Sequence, residues 1–380
     1  MKKKYIILSI ITLVLLITFV TSFNYFKTSN TYVENNSNNQ TKITKGISMN
    51  LEQTAGAGDY KQVTQSSWPT EGYKFNTELS RCENGSEISW DDTKKAVIVS
   101  GNLSDKCYVY YDIYQPTLAE YIKSQYTGTQ GDNALYYHNS ILANGAGDNS
   151  YRYAGASDSV NNYICLGSDA TTCPDANLFR IIGVFGDQTK VIRAKSIGNQ
   201  NWDTNGSNTW SSSSLNTYLN GEYLTSLGTL AEKIATTTWK VGGGTWSNIV
   251  TSVPKTAYQN EVGSSSSTTT VNKKIGLMYE TDYYYSASPS AWTLVGYNSD
   301  DATKDYRVAK TTNWLYWGSD EWTISRVSDG ATSAFGVVSI GYVGGGVVTL
   351  SIAVRPSFNL ESSVKYVSGS GSMSDPVRVN

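Results

Sequence analysis

The sequence predicts an α+β protein of several parts: a single N-terminal transmembrane helix, a small all-β module and a larger mixed C-terminal domain. Three observations carry this. An uncharged apolar run opens the chain, period-two alternation comes next, and the stretch 215–234 changes to helical spacing. At 380 residues the chain is long for one domain. Only 16% of its residues are charged and the net charge is −2, so there is no broad basic field and nucleic acid is not an expected partner. Ser, Thr, Asn, 28 Tyr and 10 Trp take the place of charge, a mixture suited to an extracellular β-rich protein with aromatic recognition faces.

Residues 1–26 hold Lys2, Lys3 and Lys4 ahead of an uncharged run from Tyr5 to Phe26. Roughly 20 apolar residues span a bilayer, and flanking lysines keep that end in the cytoplasm. An uncleaved anchor is preferred, with a signal peptide cleaved near Val20-Thr21-Ser22 as the alternative. Both export the rest of the chain, so the expected location is the cell membrane, single-pass, with the C-terminal bulk outside. Residues 27–45 read as a flexible polar stalk.

Residues 46–114 read as a small β-sandwich-like module. Ile47, Met49 and Leu51 share one face, and Cys107, Val109, Tyr111 and Ile113 fall on one side at period two. About 70 residues make a marginal core, which gives a disulfide a purpose. Cys82 with Cys107, and Cys165 with Cys173, suit an oxidising compartment. A zinc site is the alternative, although neither pair has metal-ligand spacing and His138 is the only histidine. Residues 115–133 read as a helical linker, with a short helix over 116–122 and Pro116 in its first turn.

The domain 134–380 starts with a hairpin: strands over 178–185 and 189–194 around a Gly186-Asp187 turn. Leu215, Tyr218, Leu219, Tyr223, Leu227, Leu230 and Ile234 then recur as on an amphipathic helix, with Ser211 to Ser214 as caps and Gly221 and Gly228 as breaks. Lys274 to Met278 and Val347 to Val354 read as further strands. Gly341 to Gly346 reads as a hairpin or bulge loop, since no helix comes after it to bind phosphate.

Four stretches in this domain carry a resemblance: Asn177-Leu178-Phe179-Arg180-Ile181-Ile182-Gly183, Trp210-Ser211 through Leu224, Lys274-Ile275-Gly276-Leu277-Met278-Tyr279, and Trp322-Thr323-Ile324-Ser325-Arg326. Ala353 to Leu360 closes the set. In this order they resemble uncharacterised bacterial surface domains with a C-type-lectin-like fold, related to formylglycine-generating enzymes and to the variable proteins displayed by diversity-generating retroelements. Cys82 to Cys107 resembles a small β module found ahead of such domains. The resemblance implies a C-type-lectin-like fold and a display role. It implies no copper chemistry, because no Cys lies beyond Cys173, and no calcium–sugar site, because the Glu-Pro-Asn or Gln-Pro-Asp and Trp-Asn-Asp patterns are missing.

No catalytic group, resident metal or cofactor is expected. A triad needs a histidine beside its nucleophile, and His138 reads as a surface or packing residue. The pairs Asp300-Asp301 and Asp320-Glu321 read as solvated turns rather than glycosidase carboxylates. Asp300, Asp301, Asp305 and Asp329 are loop oxygen donors without the spacing of a calcium loop. Arg355 reads as a structural ion-pair partner. The expected binding residues are Asn313, Trp314, Tyr316 and Trp317, with Tyr284 from the run Tyr283–Tyr285, because Trp and Tyr stack on sugars and anchor protein interfaces. The expectation is a membrane-anchored cell-surface binding or adhesion protein for a glycan or extracellular protein. The alternatives are a structural envelope component, or a hydrolase or oxidase whose site is unrecognised.

Overall fold

The computed structural model describes residues 46–64, 67–69, 72–102, 104–295 and 311–380. The chain divides into two compact units at Gln115/Pro116. In the first unit the alternation becomes a mixed five-stranded sheet. Ile47–Glu52 lies between Tyr60–Val63 and Cys107–Ile113, and the latter also pairs with Tyr73–Phe75 and Arg81–Cys82. A separate hairpin, Glu87–Asp91 with Ala96–Ser100, supplies Val97 and Val99 to the core formed by Met49, Leu51, Phe75, Val109 and Tyr111. Cys82 and Cys107 face each other across the ladder and are joined as a disulfide.

The second unit is built on a nine-stranded sheet and a five-stranded sheet. The hairpin Leu178–Phe185 and Gln188–Arg193 forms the middle of the larger sheet, flanked by Ser357–Leu360 on one side and Tyr163–Cys165 on the other. Both of its strands are buried on both faces, and the polar side chains they carry, Arg180, Thr189 and Lys190, are buried with the apolar ones. The smaller sheet runs in the order Asn199–Asn201, Ser351–Ala353, Glu321–Arg326, Ser333–Val337, Val343–Val347. Cys165 and Cys173 form the second disulfide, and no cysteine is free, which removes the zinc alternative.

Several expectations are corrected. The predicted α+β class with a C-type-lectin-like domain does not hold: the protein is mostly β, in several sheets, with few and short helices. Helices such as Leu118–Ser124, Pro254–Glu261 and Glu280–Ser286 run only seven or eight residues. Among the described residues no helix is long and apolar enough to cross a membrane, so the transmembrane helix gains no support. The segments predicted as anchor and stalk, 1–45, lie outside the described residues.

The expected amphipathic helix is a chain of short turns: Ser214–Tyr218, a π turn at Leu219–Tyr223, Leu224–Ser226 and a 3-10 turn at Gly228–Lys233. Ser213 caps its start, accepting a hydrogen bond from the Asn216 N–H, and Gly228 takes a positive φ at the break. The predicted linker helix is part of the second unit's core through Leu118, Ala119 and Ile122. It starts after Thr117, whose side chain forms a capping box with Glu120, so Pro116 lies outside its first turn. The run 347–354 is split by a turn, and Gly344, Gly345 and Gly346 lie within strand Val343–Val347 rather than a loop. Close packing explains these glycines, since a Cβ at Gly345 would come within 2.9 Å of the Trp246 ring.

Candidate binding pocket

The segment predicted to carry binding is largely interior. Trp314 is buried, donates its indole N–H to the Tyr153 carbonyl at 2.8 Å and lies under the Arg180 guanidinium at 4.6 Å. Asn313 is buried with its amide committed: Nδ2 donates to the Tyr283 carbonyl, and Oδ1 accepts from Ser286 Oγ and the Leu315 N–H. Tyr284 is fully buried and donates to the Ile249 carbonyl. The run Tyr283–Tyr285 presents no ring to solvent, because all three lie on helix Glu280–Ser286 and all are buried. Only Tyr316 and Trp317 are half-buried. Tyr316 donates to the Ser339 carbonyl, and Arg355 sits 5.5 Å from the Trp317 ring.

The remaining candidates also find structural places. Arg355 makes two hydrogen bonds to Glu321, at 2.7 and 2.8 Å, so Glu321 is a core residue and not part of a solvated turn. His138 is a packing residue, buried against Tyr285 and Trp292, and burial lowers its pKa. Asp300, Asp301 and Asp305 lie outside the described residues, and Asp329 is exposed. Among the described residues no group of three or more His, Cys, Asp or Glu is placed to hold a metal.

The polar chemistry converges elsewhere in the second unit, on residues that sequence reasoning did not select. Arg152 comes from strand Tyr151–Tyr153, Lys190 from Gln188–Arg193, Trp239 from Thr237–Lys240, Tyr258 from Pro254–Glu261 and Asp282 from Glu280–Ser286. They surround a cavity of about 210 Å³ whose walls include Phe185, Tyr258 and Tyr279, with Thr237, Thr238 and Asn359 among the remaining lining residues. Lys190 and Asp282 are 4% and 3% exposed. The Lys190 ammonium donates to Asp282 Oδ2 at 2.5 Å and sits 4.4 Å from the Tyr279 ring centre and 5.2 Å from that of Trp239. Burial lowers the Lys190 pKa, against the attraction of Asp282.

Asp282 is fixed by the fold, since it also accepts the Tyr279 N–H at 2.8 Å as the third residue of a capping box. Arg152 pairs with Asp148 at 2.6 Å and lies between the rings of Phe185, Tyr285 and Tyr258. Burial alone would raise the Asp148 pKa, but the Arg152 charge and hydrogen bonds from Ser150 hold it well below the carboxylate range. Tyr258 donates to the same carboxylate. Behind this layer Glu261 accepts the N–H groups of Glu280 and Thr281 at 3.0 Å each. Burial, with the neighbouring Glu261 charge, raises the Glu280 pKa well above the usual range.

Asn359 faces Lys190 directly across the ladder. Its Nδ2 donates to Thr237 Oγ1 at 3.0 Å, while its Oδ1 is enclosed without a hydrogen-bond partner. A larger hollow of about 610 Å³ lies beside the Cys165–Cys173 loop. Its Arg378 guanidinium is committed to the carbonyls of Ser168, Ala170 and Thr171, so it offers less convergent chemistry than the smaller pocket.

No curated protein and no solved structure matches the chain. A DUF6273 domain of unknown function covers residues 186–362, a span that includes Lys190, Trp239, Tyr258, Asp282 and Asn359 but excludes Arg152 and Phe185.

Proposed function

We propose that this is an exported binding protein, not an enzyme, and that its pocket receives one sugar residue of a glycan. One observation carries the reading: Phe185, Tyr258 and Tyr279 wall a small cavity in which the enclosed Asn359 oxygen has no partner. Aromatic walls suit the C–H face of a sugar ring, while amide and hydroxyl groups suit its hydroxyls. Drug-sized ligands occupy roughly 300–1,000 Å³, so a cavity of about 210 Å³ fits a smaller unit. The two disulfides support a place outside the cytoplasm.

A glycan array probed with the oxidised chain tests this. Binding is expected, and Tyr258→Ala or Thr237→Val should abolish it while circular dichroism stays unchanged. A blank array, or binding indifferent to both substitutions, would sink the reading.

A further inference from the structure

We propose that Lys190 and Asn359 become joined by an isopeptide bond that the protein forms on itself, with Asp282 relaying the protons. The two residues are directly opposed in the antiparallel ladder between Gln188–Arg193 and Ser357–Leu360. The Arg193 N–H bonds to the Pro356 carbonyl, and that hydrogen-bonded pair lies three residues along the ladder, an odd number of steps from Lys190–Asn359; the Asn359 carbonyl bonds instead to the Ala235 N–H on its other side. Lys190 and Asn359 are therefore a non-hydrogen-bonded pair, the kind whose Cα atoms lie about 4.5 Å apart with side chains close together on one face. A lysine chain is long enough to bring its nitrogen to the amide of such a neighbour.

Three further features serve this chemistry. Lys190 is the only buried lysine among the described residues, enclosed by Phe185, Trp239 and Tyr279. An apolar shell favours the neutral amine, the nucleophilic form. Asp282 already touches Nζ, so it is in place to take a proton and return it. The Asn359 carbonyl oxygen has no hydrogen bond to lose when the lysine end turns toward it.

The reaction balances without an oxidant or co-reactant. Lys190 passes a proton to Asp282, leaving an amine and a carboxylic acid. The amine attacks Cγ of Asn359 and the Nζ–Cγ bond forms. Asp282 delivers its proton to Nδ2 and accepts the next one from Nζ. The Cγ–Nδ2 bond breaks, ammonia leaves and takes up the remaining proton as ammonium, and Asp282 returns to its carboxylate. The product amide keeps the Asn359 oxygen as a hydrogen-bond acceptor. It would close a loop spanning most of the 186–362 domain.

The test is mass spectrometry of the full chain recovered from an oxidising compartment, with its N-terminus sequenced and its disulfides reduced. The expected mass lies one ammonia below the sequence mass. A digest should yield a branched peptide joining the fragments that contain Lys190 and Asn359. Asn359→Ala and Lys190→Ala should restore the full mass, and Asp282→Asn should leave most of the chain unlinked. A full-sequence mass for the wild type overturns the proposal. So does an ammonia deficit without the branched peptide, which would mark a succinimide elsewhere. The wild-type digest decides whether or not the variants fold.

Discussion

The two units bury charge in different ways. The first has an apolar core of Met49, Leu51, Phe75, Val97, Val99, Val109 and Tyr111, and its buried carboxylates bond to backbone N–H groups. Glu52 accepts from Gly58 and Ile113, and Asp105 from Asn84 and Ser86. The second buries whole ion pairs: Arg355 with Glu321, Lys190 with Asp282, and Arg152 with the partly covered Asp148. A small unit has too little interior to repay the desolvation of two charges, and relies on a covalent staple. A larger one can enclose paired charges, at the risk that losing one member strands the other.

Four experiments would break or sharpen this contrast, the first three read unit by unit through hydrogen exchange and mass spectrometry. The largest effect is expected from Glu321→Ala. It leaves Arg355 with only the Leu315 carbonyl, and removing one partner of a buried pair costs about 3–5 kcal/mol. The loss should be confined to the second unit; an unchanged second unit would mean that water reaches Arg355. Next, Cys82→Ala with Cys107→Ala should cost the first unit about 3 kcal/mol of loop-closure entropy, leaving the second untouched. Asn208→Ala comes third. Its Nδ2 donates to the carbonyls of Val327, Gly330 and Ser333, and stranding buried acceptors costs roughly 1–3 kcal/mol.

The smallest change is a slope with pH. The folded Glu280 pKa is raised above its ordinary value of 4.5, so above that pH the folded state binds more protons than the unfolded state. Stability from this group is complete below the unfolded pKa and falls as pH rises toward the folded one. Urea midpoints for the second unit should therefore decline with pH more steeply in the wild type than in Glu280→Gln. Parallel profiles would remove Glu280 as the cause.

Much of the strand framework was legible in the sequence. Cys107, Val109 and Tyr111 alternate because one face of their strand is buried, and the Gly186-Asp187 turn marked the central hairpin. The aromatic segment was misread for a physical reason. Trp314 lies in a turn with no period, so nothing in its spacing told whether its indole met solvent or the Tyr153 carbonyl. Tyr283, Tyr284 and Tyr285 could all be buried only because their short helix is enclosed on every side. The pocket was hidden because its residues come singly from separate elements. One signal was present: Lys190 stands inside Thr189-Lys190-Val191-Ile192, where a lysine must be either an outward-facing exception or a buried, partnered charge.

The first unit's strand pairing has a mechanical consequence. Its first and last strands, Ile47–Glu52 and Cys107–Ile113, run parallel and adjacent, in register from Ile47 beside Cys107 to Leu51 beside Tyr111. Tension applied where the chain enters and leaves the unit drags these neighbours lengthwise past each other. The ladder is then loaded in shear, with its hydrogen bonds sharing the force, where an antiparallel hairpin pulled from its open end would unzip one bond at a time. Forced unfolding is governed by the unfolding rate rather than by equilibrium stability. A unit of this size can therefore be thermodynamically modest and still hold firm when the chain is stretched.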